Sequence, residues 1–394
     1  MTSWRRSPSR KDRKVENPRI VRVEWARLEG RRPRPAGCNA RLGSHGDTVR
    51  PPVARLTTED GTAGIGPARV TPEQAAAALG TRLSDAFLPA SGVADPFLPL
   101  EYPLWDLAAK RANKPVYALA AEVVGADVPS APFRVRCYDT SLYIDDLHLA
   151  TDEEAAALIA AEARQGYRRG HRAFKVKVGR GARHMPLEEG TRRDVAVIRA
   201  VREAVGPEST LMIDANNGYN LNLAKRVLGE TAGCRLFWVE EAFHEDPVLY
   251  RELREWLDRE GLPVLIADGE GQASPTLMDW AQERVVDVVQ YDILHPGFTR
   301  WLRIGRQLDA WGVRSAPHHY GGFFGNYVSG HLAGAVRNFA YVEWDEAATL
   351  GVDASDYAVR DGEVTLPDVP GFGFDLDEGV FARAVGENGF VVSA

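Results

Sequence analysis

Seven polar residues recur at intervals of 22 to 37 residues along the second half of the chain, and each lies at or just past the end of a short apolar run. They are Lys177, Asp214, Glu240, Glu270, Asp292, His318 and Glu343. This interval is close to one strand-plus-helix unit of a (β/α)8 barrel, which takes roughly 250 residues for eight units. Because the strand ends of such a barrel meet at one mouth, the pattern predicts that these side chains share a single site.

The apolar runs before these residues predict the strands of a parallel barrel. Eight such runs lie between residues 131 and 348, and helical patterns separate them. Regular alternation of strands and helices is typical of a parallel sheet with right-handed crossovers, whose strands are apolar along their length because both faces are covered. We therefore predict a TIM-like (β/α)8-type barrel over residues 131–348.

The residues on either side of the barrel have a different pattern. Residues 19–130 contain alternating apolar and polar runs, turn signals at Asp60-Gly61 and near Gly66, and then helical stretches. This pattern predicts an α+β domain with a small antiparallel sheet, placed as a cap on the barrel. We expect residues 349–394, which contain glycine and proline, to fold back and complete the capping domain.

Composition limits the classes of function. The net charge of −7 gives no reason to expect nucleic-acid binding, and no apolar stretch is long enough to cross a membrane. The first 14 residues hold six basic side chains with no apolar segment after them, so residues 1–18 are predicted to be a disordered tail rather than a signal peptide. A nucleic-acid-binding arm is the alternative. The three cysteines are far apart, which favours a reducing cytoplasm.

Three carboxylates end consecutive predicted strands, the third to the fifth: Asp214, Glu240 and Glu270. Carboxylates at one mouth repel each other unless a cation neutralises them. Oxygen ligands without neighbouring cysteine or histidine favour a hard ion, so we predict one Mg²⁺ at this trio. The alternative is that each carboxylate caps the next helix or pairs with a basic side chain.

Two lysines lie two residues apart in the run "FKVKV", so Lys175 and Lys177 share one face of a strand. A lysine beside another cation loses proton affinity and can act as a base near neutral pH. The alternative is a pair of solvent-facing lysines, because the flanking apolar residues do not decide which face points inward.

An acid/histidine pair follows on the sixth and seventh predicted strands. Asp292 can accept a hydrogen bond from one imidazole nitrogen of His318, which fixes the tautomer and raises the basicity of the other nitrogen. A structural histidine is the alternative. Glu343 ends the eighth strand, where it either donates a hydrogen bond to a developing oxyanion when protonated or forms an ordinary salt bridge.

The order and spacing of several short motifs resemble the enolase superfamily, and within it the mandelate racemase subgroup. The motifs are "FKVKV", "MIDANNGY", "WVEEAF", "ADGE", "QYD", "PHH" and "YVEWDE", and the resemblance covers nearly the whole chain from about residue 19. The muconate-lactonizing subgroup is disfavoured because no lysine ends the strand that carries Asp292.

The resemblance implies a shared first step, in which a carboxylate substrate binds Mg²⁺ and a base removes its α-proton. It implies that Lys177 is one base, supported electrostatically by Lys175, and that the three carboxylates bind the metal. It also implies that His318, oriented by Asp292, is the second acid/base. Glu343 matches a position that hydrogen-bonds a substrate carboxylate oxygen.

The substrate is less constrained than this first step. The polar loop Arg31–Asp47 belongs to the cap, which in this superfamily closes the site, although a merely solvated loop is the alternative. Its donors fit a polyhydroxylated acid, so we predict an acid-sugar dehydratase. Racemisation or epimerisation of a 2-hydroxy acid is one alternative, and a catalytically silent ligand-binding relative is another. The resemblance also implies a homo-oligomer. We predict that four further residues contact the substrate: Arg41, His45, Asn216 and His319.

Overall fold

The structure is a computed structural model in which residues 16–319 and 324–394 are described. The capping domain begins with strands β1 Ile20–Arg27, β2 Gly30–Ala36, β3 Gly46–Val49, β4 Pro52–Thr58 and β5 Ala63–Pro67. It continues through α1 Pro72–Ala77, α2 Leu83–Ala86, β6 Phe87–Leu88, β7 Gly92–Val93, α3 Glu101–Ala112 and α4 Val116–Val124. Strands β1, β4 and β5 form one antiparallel sheet, and β2 and β3 form a separate arm.

The predicted turn at Asp60-Gly61 joins β4 to β5, where the Gly61 amide donates to the Thr58 carbonyl at 2.8 Å. The turn predicted near Gly66 is wrong, because Gly66 lies inside β5 and pairs with Ala54. A Cβ on Gly66 would come within 2.6 Å of Tyr102 on helix α3. Glycine at this position therefore permits close packing of helix on strand rather than a turn.

Eight parallel strands form the barrel among the described residues, which confirms the predicted fold class. They are β8 Arg134–Leu142, β9 Ala173–Lys177, β10 Thr210–Asp214, β11 Leu236–Glu240, β12 Leu265–Asp268, β13 Val288–Val289, β14 Arg314–Ser315 and β15 Val342–Trp344. Strand β15 pairs with β8, and a parallel bridge between Ser315 and Phe339 closes the barrel on its other side.

The barrel helices surround these strands as crossovers. They are α5 Asp152–Arg168, α6 Leu187–Val205, α7 Leu221–Glu230, α8 Pro247–Glu260, α9 Leu277–Gln282, α10 Phe298–Trp311 and α11 Phe324–Leu332. Helix α5 has a complete capping box between Thr151 and Glu154, as its sequence requires.

Helix α3 connects the cap to the barrel through buried polar contacts. The Trp105 indole donates to Thr299 Oγ1 at 3.0 Å, the Glu101 carboxylate accepts the Thr299 amide at 3.0 Å, and the Tyr102 hydroxyl donates to the carbonyl of Ile293. These contacts fix the cap above the loop that follows β13.

The C-terminal segment contacts both domains. Its elements are β16 Ala348–Thr349, β17 Val352–Asp353, β18 Ala358–Arg360, β19 Glu363–Thr365, β20 Asp375–Leu376, α12 Glu378–Asn388 and β21 Phe390–Ser393. Strand β19 pairs antiparallel with β8, and β21 adds to the edge of the capping sheet beside β1.

Residues 1–15 of the predicted tail lie outside the described part of the chain. Asn17 and Pro18, which the prediction included in the tail, are hydrogen-bonded to the cap at Ser84 and Leu83. Within the described ranges, no helix combines the length and apolar character that crossing a membrane requires.

Candidate active site

The strand ends bring the predicted site residues to one mouth of the barrel. In the ladder between β9, β10 and β11, Asp214 is the register partner of both Lys177 and Glu240. Glu270 follows β12 by two residues, after Gly269 at a φ of +124°. Asp292 and His318 form a parallel β-bridge between the last two loops before the eighth strand.

The three predicted metal ligands, Asp214, Glu240 and Glu270, form a compact cluster. Each offers an oxygen, and these oxygens lie within 4.8 Å of one another. Burial raises the pKa of Glu240 to about 8, and the Asp214 and Glu270 carboxylates act in the same direction while Lys175 opposes them. Glu270 Oε2 is buried and accepts no hydrogen bond of good geometry, although His318 Nε2 lies 3.1 Å away.

This donor set suits a hard divalent cation. An all-oxygen cluster matches the preference of Mg²⁺, and a cation would supply the missing partner of Glu270 and offset the mutual repulsion of the three carboxylates. The residues present therefore fit the predicted metal.

The lysines face the carboxylates, which answers the question of direction that the sequence left open. Lys175 Nζ is 2.5 Å from Glu240 Oε1, 3.0 Å from Glu343 Oε1 and 3.5 Å from Asp214 Oδ2. Lys177 Nζ donates to Asp214 Oδ2. Burial alone would lower the pKa of each ammonium, but these carboxylates outweigh it and raise the pKa of both lysines above the ordinary value.

The turn after β9 holds Lys177 in place. The Arg180 guanidinium is fully buried, where it pairs with Asp146 and Asp194 and donates to the Lys177 carbonyl at 3.4 Å. Asp194 also accepts the Gly179 amide at 2.8 Å. Breaking either buried pair would leave an uncompensated charge, so this cluster keeps the strand end rigid.

His318 has the geometry of the predicted dyad. Its Nδ1 is hydrogen-bonded to Asp292 Oδ1, so that nitrogen donates and Nε2 faces Glu270. Burial alone would lower the pKa of His318, but Glu270, Glu343 and Asp292 raise it to about 10. The imidazole is therefore protonated in this arrangement.

Glu343 has the contacts of the salt-bridge alternative. It accepts a hydrogen bond from Thr140 Oγ1 at 2.6 Å and from the His319 amide at 3.1 Å, and it pairs with Lys175. Although burial favours the neutral acid, Lys175 and the two histidines hold the pKa of Glu343 below its ordinary value.

Lys177 and His318 line one cavity of about 310 Å³, here called the catalytic cavity. Glu270, Asp292 and Glu343 also line it. The Glu270 carboxylate raises the pKa of both Lys177 and His318. The cavity thus brings two titratable nitrogens to the edge of the carboxylate trio.

The four predicted substrate contacts divide into two groups. Asn216 and His319 line the catalytic cavity. Arg41 instead lines a neighbouring cavity of about 560 Å³, and the His45 ring packs edge-on against Tyr143 at 5.1 Å without lining either cavity. Neither side chain therefore lines the catalytic cavity, although Asn216 and Glu270 line the cavity of Arg41 as well.

Besides Glu270, the cavity-lining residues Asn216 and His319 each have a buried polar atom with no hydrogen-bond partner among the described residues. Asn216 donates from Nδ2 to Glu241 at 2.9 Å and to Glu270 at 3.3 Å, which leaves its buried Oδ1 unpaired. His319 Nε2 donates to the Glu343 carbonyl at 2.9 Å, which leaves the buried Nδ1 as an acceptor. Both atoms are closed off from solvent, and a Cβ on Gly325 of helix α11 would come within 2.9 Å of His319 Nδ1.

Several other cavity residues were not predicted. They are Leu42, Arg69, Thr140, Tyr143, Leu294 and Asp345. Thr140 lies two residues before the end of the first barrel strand, β8, so a search near strand ends could have found it. His295, three residues after Asp292, also lines the cavity.

Comparison with known proteins identifies the class to which this fold and this arrangement of lysines, carboxylates and histidine belong. Residues 158–380, more than half of the chain, match the model of the enolase C-terminal domain-like family. The chain belongs to this family, and the predicted membership in the enolase superfamily is confirmed.

Individual relatives are acid-sugar enzymes. The chain is similar to a galacturonate dehydratase from Geobacillus sp. in complex with D-galacturonate and 5-keto-4-deoxy-D-galacturonate, at 47% identity and a TM-score of 0.91, over 96% of this chain and 100% of that one. Another structure of that enzyme, a mutant, is complexed with Mg, at 48% identity and a TM-score of 0.92, over 95% of this chain and 97% of that one. An arabinonate dehydratase from Saccharolobus solfataricus is 28% identical over 289 residues, 71% of this chain and 69% of its own length.

Proposed function

We propose that this protein is a Mg²⁺-dependent hydro-lyase that dehydrates an acid sugar, with D-galacturonate as the first substrate to test. The observation that carries the proposal is that Lys177 and His318 line one cavity together with Glu270, a member of the carboxylate trio. The 47% identity to a galacturonate dehydratase over nearly the full length of both chains supports the choice of substrate.

Asp214, Glu240 and Glu270 would hold the metal. A bound Mg²⁺ would supply positive charge that binds the substrate carboxylate and stabilises the negative charge formed when the α-proton leaves. Lys175 adds a second fixed positive charge beside Glu240 and Glu343. Lys175 is too deeply enclosed by carboxylates to serve as a base, so we assign it an electrostatic role.

Lys177 and His318 carry the proton transfers in this proposal. Lys177 must first lose its proton and its hydrogen bond to Asp214, after which its free amine accepts the α-proton. The electron pair of the broken C–H bond forms a carbon–carbon double bond as the β-hydroxyl departs. His318, protonated beside Asp292, donates a proton from Nε2 to that hydroxyl, which leaves as water. The resulting enol then tautomerises to the keto-deoxy acid.

The test is incubation of the protein with Mg²⁺ and D-galacturonate, beside a panel of other monoacid and diacid sugars, with detection of the keto-deoxy product. The reaction is also run in deuterium oxide. Deuterium at the α-carbon without loss of water would indicate that the reaction is racemisation or epimerisation and not dehydration. Absence of exchange and of product with every acid of the panel would leave only the ligand-binding alternative.

Three further expectations stay predictions. The domain boundaries at residues 19–130, 131–348 and 349–394 would be tested by limited proteolysis or separate expression; the last of them falls inside strand β16, which pairs with β2 of the cap. The free state of Cys38, Cys137 and Cys234 supports the cytoplasm as the compartment. A homo-oligomer would be checked by light scattering.

A further inference from the structure

The wall of the catalytic cavity that lies towards the cap differs in charge from the wall that holds the trio. Three side chains on it come from separate parts of the chain: Asn39 from the loop after β2, Arg69 from the segment after β5, and His295 from the loop after β13. This set is here called the distal wall, because none of the three approaches Lys177 or the carboxylate trio in any described ion pair or hydrogen bond.

All three residues of the distal wall offer hydrogen-bond donors. Asn39 Oδ1 already accepts the amides of Arg41 at 2.9 Å and Leu42 at 2.7 Å, so its amide nitrogen is what remains for a ligand. The Arg69 guanidinium is a fixed cation with five N–H donors. The His295 ring is exposed and can donate from either nitrogen, depending on its tautomer.

Arg69 lacks the described partner that each carboxylate lining the catalytic cavity has. Four carboxylates line the catalytic cavity, and each already has a described role. Glu270 belongs to the trio, Asp292 binds His318, Glu343 pairs with Lys175, and Asp345 pairs with Arg32 of strand β2 at 3.0 Å. Among the described residues, no carboxylate pairs with Arg69, whose side chain is exposed where it lines this cavity.

The cavity also has room at this end. Arg69, Leu294 and His295 line both the catalytic cavity and an adjoining cavity of about 250 Å³ that lies between cap and barrel. The catalytic cavity of about 310 Å³ therefore does not end at the distal wall. The two cavities share these lining residues, so space for the distal end of a substrate adjoins Arg69.

Resting on the proposed function, we infer that Arg69 binds a second carboxylate at the far end of the substrate, so that the protein accepts aldaric diacids as well as uronic monoacids. A carboxylate accepts hydrogen bonds from several donors at once and carries a negative charge that can pair with Arg69. The aldehyde or hemiacetal end of a uronic acid offers fewer acceptor sites and no charge. The reaction is the same for both acids, with loss of the α-proton and the β-hydroxyl as water.

The experiment compares two probes that differ only at the distal carbon: D-galacturonate and galactarate, its C1-oxidised diacid. Binding of each to the Mg²⁺-loaded full chain is measured by isothermal titration calorimetry for the wild type, Arg69→Gln, Arg69→Lys and Arg303→Gln. Arg303 is a matched control, because it is exposed on helix α10 and lines none of the cavities above. Thermal unfolding of each variant verifies that it is folded.

Arg69→Gln is expected to weaken galactarate binding by about tenfold to a hundredfold, the range of a charge-assisted contact, and D-galacturonate binding by much less. Arg69→Lys should keep part of the preference, and Arg303→Gln should keep all of it. An unchanged ratio of the two affinities in Arg69→Gln overturns the inference, as does absence of galactarate binding to the wild type. If D-galacturonate is still dehydrated in either case, the proposed function stands while the inference fails.

Discussion

His331 is a buried histidine far from the proposed chemistry, and its hydrogen bonds predict how stability depends on pH. Its Nδ1 accepts the backbone N–H of Tyr117 at 3.0 Å, and its Nε2 lies 2.8 Å from the Tyr357 hydroxyl. The Tyr357 hydroxyl donates its hydrogen to the carbonyl of Phe372. Nε2 must therefore be the donor towards Tyr357, and Nδ1 has no room for a proton. The ring is held neutral at the contact of helices α4 and α11 with the C-terminal segment.

The magnitude follows from the pKa. Burial lowers the pKa of His331 from 6.5 to about 3. Because the folded pKa lies below the unfolded one, the unfolded chain binds this proton more tightly, and stability is complete only above the unfolded pKa. As pH falls below that value, each pH unit costs about 1.4 kcal/mol, so pH 5 should cost about 2 kcal/mol through this residue alone.

The assay is urea unfolding followed by tryptophan fluorescence at pH 7.5 and at pH 5.0, for the wild type and His331→Asn. The asparagine oxygen can still accept the Tyr117 amide but does not titrate, so its free energy of unfolding should fall by about 2 kcal/mol less between the two pH values. His148→Asn, a change at an exposed histidine, is the control and should follow the wild type. Equal pH dependence in His331→Asn and the wild type would refute the reasoning.

Four predictions concern the site. Lys177→Met should lower turnover by roughly a hundredfold to ten-thousandfold while Mg²⁺ binding persists, measured by product formation and calorimetry; loss of metal binding would contradict the assigned role. Asp292→Asn should lower kcat more than it raises KM, since the neutral amide removes the negative charge that pairs with His318 and raises its pKa; an effect on KM alone would argue against the dyad. Glu270→Gln should weaken Mg²⁺ affinity by at least about tenfold, whereas an unchanged affinity would remove it from the ligand set. Mg²⁺ affinity should rise from about pH 6 to about pH 8, because Glu240, with its pKa of about 8, must lose a proton to bind a cation; a flat profile would count against this.

The positions of the seven polar residues at the strand ends could be predicted, because barrel topology brings strand ends to one mouth. A polar residue at the end of an apolar run lies at the mouth whatever the loops do, so Asp214 and Glu240 needed only the correct strand assignment. The direction in which the side chains of Lys175 and Lys177 point could not be predicted in this way. All five residues of β9 are buried, because both faces of a barrel strand are covered, and the apolar pattern therefore carries no sign of which face is inward.

The cap contribution was predictable only as a region. Residues Asn39, Arg41 and His45 belong to one loop, yet only Asn39 reaches the catalytic cavity. The Asn39 side chain caps its own turn, and Arg183 and His184 bind the carbonyls of Arg41 and Asn39, which fixes the loop in a single path. Such long-range hydrogen bonds have no local sequence period, so the choice between neighbours in a loop requires the structure.

The arrangement of hydrogen bonds at Asp214 connects the two halves of the proposed site. Its Oδ1 accepts a hydrogen bond from the backbone N–H of Asn216 at 2.9 Å, and its Oδ2 accepts one from Lys177 Nζ. Both oxygens are therefore hydrogen-bonded within the protein. A cation at the trio must therefore compete with Lys177 for this carboxylate. The contact that raises the pKa of Lys177 is the same contact that a cation weakens, and burial, which disfavours the ammonium, then acts on Lys177 with less opposition. On the proposed roles, Lys177 would become a competent base only where a cation is also bound, and the proposed base and the proposed ligand are register partners on adjacent strands.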